Sequence, residues 1–120
     1  MSTSAPRLSL FLLFSCALFG CADAELAPEQ CAVTAPTECL EPELRYANLA
    51  PIFEQHCAEC HTGKAGGPWP LDDYDSIADW ADVMRTELVS CTMPPPGSSN
   101  PLRNQDRARI LNWLRCGLPE

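Results

Sequence analysis

Residues 48 to 61 read NLAPIFEQHCAECH, and the rest of the chain takes its meaning from them. Leu49, Ile52 and Phe53 recur at spacings of three and four, the period of one helix face. Asn48 stands where an N-cap is wanted, and Pro51 falls in a first turn, where a missing N–H costs little. The stretch therefore predicts a helix whose C-terminal end delivers two cysteines and two histidines within six residues. Such a cluster serves a redox dithiol, half of a zinc site, or the covalent seat of a cofactor. These predict different proteins, so the surrounding sequence has to choose.

Downstream, HTGKAGGPWP holds three glycines and two prolines in ten residues and reads as a loop. YDSIADWADVMRTELVS follows, with Asp75 as expected cap and Ile77, Trp80, Ala81, Met84 and Leu88 at helical spacing, an amphipathic helix of about three or four turns. CTMPPPGSSNP cannot continue it, because proline has no N–H to give. NQDRARILNWLRCG is a last helix, with Asn104 as expected cap, an apolar stripe of Ala108, Ile110, Leu111, Trp113 and Leu114, and Gly117 as its stop. Residues 44–120 thus predict a small all-α domain of about three helices joined by long loops. A domain of that size buries little apolar surface and needs staples or a cofactor to be stable.

Upstream, residues 1–21 place one basic residue, Arg7, before an apolar run from Leu8 to Phe19. The run is too short for a bilayer anchor and reads as the apolar region of an export signal. Its end, LFGC, resembles the lipobox of bacterial lipoproteins, which would make Cys21 the lipidated N-terminus; LFSC, ending at Cys16, is the weaker alternative. Ordinary signal cleavage is the competing outcome. Residues 22–43 are acidic and proline-rich without helix or strand period, a tether in which Cys31 and Cys39 suit a local disulfide. The formal net charge of −8 argues against nucleic acid or an anionic membrane surface as a partner. It leaves a basic-surfaced partner protein or a merely solvated surface. After export, unpaired thiols tend to oxidise, so Cys31, Cys39, Cys57, Cys60, Cys91 and Cys116 each need a fate.

A thioredoxin-like C-x-x-C opens a helix after a strand, where the helix N-terminus lowers the thiol pKa. Here the motif closes a helix, and no strand period is visible. Zinc takes four ligands, usually as two close pairs, and Cys91 and Cys116 make no second pair for Cys57 and Cys60. A plain Cys57–Cys60 disulfide leaves His61 unexplained. C-x-x-C-H, in contrast, is the attachment signature of c-type haem: Cys57 and Cys60 add to the two vinyl groups, and His61 becomes an axial ligand of the iron. For the other axial position His56 is too close to the motif and Met84 has a ready core role. Met93, a soft thioether on a loop stiffened by Pro94 to Pro96, is the expected ligand.

With these features, residues from about Tyr46 to Gly117 resemble a small monohaem class I cytochrome c, and more closely the cytochrome c-type domains of bacterial exported lipoproteins. The matching motifs are APIFEQHCAECH, MPPPG and ILNWLRCGLP. The resemblance implies that Phe53 and Trp113 pack where the first and last helices cross. It also implies that a proline carbonyl accepts from the ring of His61, with Pro68 and Pro70 both available. The stretch between His61 and Met93 is short for the family, which implies one helix fewer. A Cys91–Cys116 disulfide is expected to tie the ligand loop to the last helix, worth about 3 kcal/mol on the chain-entropy estimate.

The expectation is therefore an exported, lipid-anchored electron carrier of the periplasm or cell surface. It would use haem c with His61 and Met93 on the iron, a redox partner protein, and no residue in a catalytic role. Phe53, Ile52, Leu71, Trp80, Met84 and Leu114 are expected to keep water from the porphyrin. Two rivals stand beside it: a haem enzyme or gas sensor with an open sixth site, and a non-haem disulfide-rich surface module. The first requires that Met93 not ligate, and the second that no haem attach.

Overall fold

The computed structural model describes residues 29–63 and 69–120, and over these the chain is all-α. Four helices occur in order: α1 (Tyr46–His56), α2 (Tyr74–Asp79), α3 (Ala81–Val89) and α4 (Asn104–Arg115). The export signal, the lipobox, Cys16, Cys21 and Pro68 lie outside the described residues. Among the described residues no helix is long and apolar enough to cross a membrane.

The helix starts differ from those expected. A side chain one turn inside a helix can reach back to the first N–H as well as a capping side chain can reach forward. Asn48 is not the cap of α1: Arg45 is, and its N–H donates to Asn48 Oδ1 at 3.0 Å. The helix consequently begins earlier, and Pro51 lies inside it. Asp73, not Asp75, caps α2, accepting from the Ser76 N–H at 2.9 Å and the Ser76 hydroxyl at 2.9 Å. Arg103 occupies the cap position of α4, which releases the Asn104 side chain for contacts elsewhere.

The expected single helix over residues 74–90 is two helices. Trp80 leaves helical geometry at φ −105° and ψ 13°, ending α2 and starting α3. The break lets the two pieces aim separately, so that Ile77 from α2 and Met84 and Leu88 from α3 all reach the core. At the other end Gly117 stops α4 with φ +86°, a conformation glycine takes without steric cost.

Packing centres on the crossing of α1 and α4. Phe53 and Trp113 are 1% and 0% exposed, their ring centroids 6.0 Å apart and edge to face at 63°. Tyr46 and Tyr74 close the cluster, 6.2 and 6.3 Å from Trp113. The indole N–H of Trp113 and the N–H of Tyr46 both donate to the Pro119 carbonyl at 2.9 Å, and the Tyr74 hydroxyl donates to the Leu118 carbonyl. The C-terminal tail is thereby pinned across α1, α2 and α4. Burying these polar tips with partners keeps the large rings at little polar cost.

Residues 29–43 are fastened to the domain instead of forming a local loop. The disulfides are Cys31–Cys91 and Cys39–Cys116, so the same four cysteines pair as expected but with partners exchanged. The segment runs along α4: Ala32 and Leu40 donate their N–H groups to the side-chain oxygens of Asn104 and Asn112. Arg115 donates to the Thr37 carbonyl. These contacts carry Cys31 to the end of α3 and Cys39 to the end of α4, separating two cysteines that are close in sequence. The bridged separations, 60 and 77 residues, make each link worth about 4 kcal/mol on the chain-entropy estimate, more than the local pairing would give.

Candidate functional site

The turn that closes α1 carries the site. The Cys57 carbonyl accepts from the N–H of Cys60 at 3.2 Å and from that of His61 at 2.9 Å, while Cys57 itself donates to Phe53. The chain therefore keeps a helix-like pitch after His56, and Cys57, Cys60 and His61 stay within one turn. Cys57 and Cys60 are the free cysteines among the described residues. Burial pushes the Cys57 thiol up to about 11, with the Arg107 cation pulling the other way. A neutral, half-buried thiol is the opposite of the low-pKa thiolate a redox dithiol requires.

His61 is held by its ring. Its Nδ1 is 3.2 Å from the Trp69 carbonyl, and its own carbonyl accepts from the Leu71 N–H at 2.7 Å. Among the described residues the carbonyl on the ring is thus that of Trp69, not that of Pro70; Pro68 lies outside them. With Nδ1 donating, the lone pair of the imidazole is carried on Nε2, the tautomer a metal ligand needs.

Around this turn lies a cavity of about 440 Å³, within the range of cofactor pockets. Cys57, Cys60 and His61 line it together with Met93, which comes from the loop after α3. Its walls are mostly apolar: Phe53, Leu71, Trp80, Val83, Met84, Leu88 and Ile110, with Trp69, Pro94 and Pro95. His56, Glu59, Glu87, Ser98 and Asn100 add the polar part of the lining. Of the residues expected to exclude water, Phe53, Leu71, Trp80 and Met84 line the cavity. Ile52 and Leu114 instead pack into the core behind it, because their side of each helix faces the neighbouring helix. Sequence reasoning missed Trp69, Val83, Leu88 and Ile110 as apolar side chains of the wall. Trp69 sits in a glycine- and proline-rich loop that offers no periodic signal, and its ring meets that of Trp80 at 5.6 Å.

The two methionines differ in their surroundings. Met84 is 8% exposed on α3, and Met93 is 37% exposed. Both line the cavity. The Met93 backbone is tied down: its N–H donates to the Glu87 carbonyl at 3.4 Å, and its carbonyl accepts from Arg107 at 2.7 Å. His56 is engaged by the Asn100 carbonyl, 3.3 Å from Nδ1.

Among the described residues no group of three His, Cys, Asp or Glu side chains is gathered as an all-protein metal site would require. Comparison with family models, characterised proteins and solved structures gave no match to this chain.

Proposed function

We propose that this chain is a one-electron carrier that holds haem c, in which Cys57 and Cys60 would be the attachment points and His61 and Met93 would hold the iron. One observation carries the reading: both thiols and the imidazole of C-x-x-C-H line a single apolar cavity with Met93, a residue from a separate element. The residues fit the group by their chemistry. Two unpaired thiols are available to form thioethers, an imidazole is held with its Nδ1 on a carbonyl, a soft thioether is at hand, and apolar walls suit a porphyrin. The bound haem iron would supply the reversible one-electron change.

The protein's own residues do the rest. Trp69 orients the His61 ring through its carbonyl, which raises ligand basicity. Phe53, Leu88 and Ile110 keep water from the inner walls. Trp69, Val83 and Met93, at 40%, 39% and 37% exposure, leave an apolar rim where electrons could pass to a partner. Along residues 69–89, which carry two of these three rim side chains, Asp72, Asp73, Asp75, Asp79, Asp82 and Glu87 outnumber Arg85, which supports a basic-surfaced redox partner. Two disulfides support an oxidising compartment, and export with a lipid on Cys21 belongs to the same proposal.

The test is to express the full chain with the cytochrome c maturation machinery. Intact mass of the denatured protein should carry one haem, and a pyridine haemochrome spectrum should report two thioethers. Cys57→Ala or Cys60→Ala should weaken retention. A mature wild-type protein without a haem adduct overturns the reading.

A further inference from the structure

The most heavily buried cation in the described residues is Arg107 on α4, 3% exposed. No carboxylate among the described residues pairs with it, since its neighbour Asp106 is taken by Arg103 at 2.9 Å. Its bonds go to backbone. One terminal nitrogen, NH1, donates to the Leu88 carbonyl at 3.0 Å and to the Met93 carbonyl at 2.7 Å, while Nε is buried without a partner.

Leu88 lies in the last turn of α3, where its carbonyl accepts from the N–H groups of the cap residue Ser90 and, at 3.4 Å, of Cys91. Met93 lies five residues on, beyond the disulfide cysteine. A single NH₂ group therefore bridges the two ends of the turn that carries Met93 off the helix. Burying a guanidinium without a counter-charge is costly, and a loop needing only two donors could use neutral ones. What the guanidinium adds is a rigid, permanently charged donor reaching from α4 to the loop.

The position of the Met93 sulfur depends on such a tie. Methionine has three rotatable bonds, and at 37% exposure neighbouring side chains do little to confine it. Its backbone then sets the region that the sulfur can reach. The 3.4 Å bond to Glu87 is long, so the 2.7 Å bond from Arg107 is the stronger backbone restraint.

We infer that Arg107 is the positioning residue for Met93, bridging the Leu88 and Met93 carbonyls so that the thioether is presented to the cavity. The inference rests on the proposed haem function. A buried cation near the site also disfavours the more positive, oxidised state, so Arg107 raises the reduction potential as well.

The experiment compares wild type, Arg107→Gln and Arg107→Lys, each matured with haem in the full chain. Three readouts are taken: the weak red-edge charge-transfer band of the ferric protein, carbon monoxide uptake by the ferrous protein, and the reduction potential. Arg107→Gln, which breaks the bridge and removes the charge, should lose most of the band, take up carbon monoxide and show a lower potential. Arg107→Lys keeps the charge with a shorter, single-pronged reach. It should give a band of intermediate intensity and a potential nearer to wild type. If Arg107→Gln does not fold, Arg107→Lys decides alone. A folded Arg107→Lys, or a folded Arg107→Gln, with full band intensity and no carbon monoxide uptake overturns the positioning role while leaving the haem function standing. A wild type without haem, or with haem but no such band, overturns the functional reading first and the positioning role with it.

Discussion

The two ends of helix α4 do different work. Trp113, near its C-terminal end, is enclosed by Phe53, Tyr46 and Tyr74 and has its indole N–H satisfied by the tail. Nearer the N-terminal end, Ile110 forms part of a cavity wall, and Arg107 reaches out to the loop that bears Met93. One end is protein packed on protein at interior density. The other arranges apolar side chains around a space, with its polar contacts spent on holding the rim. The packed core and the proposed haem site are thus divided along a single helix, and substitutions should separate them.

The largest loss is expected at the packed end. Trp113→Ala removes a fully buried ring from the crossing and should cost about 3–5 kcal/mol, read as a lowered urea midpoint. The folded fraction should keep the wild-type ligand band. If that band vanishes before the domain unfolds, the two ends are not separable as argued.

The next effects distinguish the methionines of the cavity. Met84→Ala deletes a buried core side chain and should cost about 2–5 kcal/mol with the charge-transfer band intact. Met93→Ala should cost little stability, because the residue is partly exposed, yet abolish the band, lower the potential and admit carbon monoxide. Opposite spectra from the two variants would make Met84 the ligand and leave the Met93 loop as a rim element only.

The smallest effect lies at the start of α2, which carries Tyr74 towards the packed cluster. Asp73 accepts from the N–H and hydroxyl of Ser76, and these bonds hold its carboxyl below the ordinary carboxylate value. A depressed folded pKa means that the contribution is complete above the unfolded carboxylate range. It is then lost as the pH falls through the lower folded value. Asp73→Asn should therefore flatten the acid limb of the stability–pH curve slightly. An unchanged acid limb would mean that the cap contributes nothing measurable.

Where the expectations succeeded, the controlling interactions are local. Cys57, Cys60 and His61 fall within one turn whatever surrounds them, because their spacing matches the helix pitch and two N–H groups bond the Cys57 carbonyl. The apolar stripes of α1 and α4 likewise marked Phe53 and Trp113 before any contact was known. At Asn104 a distant segment intervened. Asn104 looks like a cap in isolation, but it bonds Ala32 and Gln30 in the segment lying on α4.

The sequence by itself determined the helical class, the turn that gathers the two thiols with an imidazole, the proline-rich break before α4 and the glycine that ends it. All are decided by backbone preferences and bonds spanning a few residues. Only the tertiary structure decided which cysteines pair, since a disulfide forms where chain segments meet and nearness in sequence does not bring them together. The same holds for the break at Trp80, set by the need of α2 and α3 to bury different faces, and for Arg107, whose carbonyl partners 19 and 14 residues away meet it only after α3 and α4 have packed.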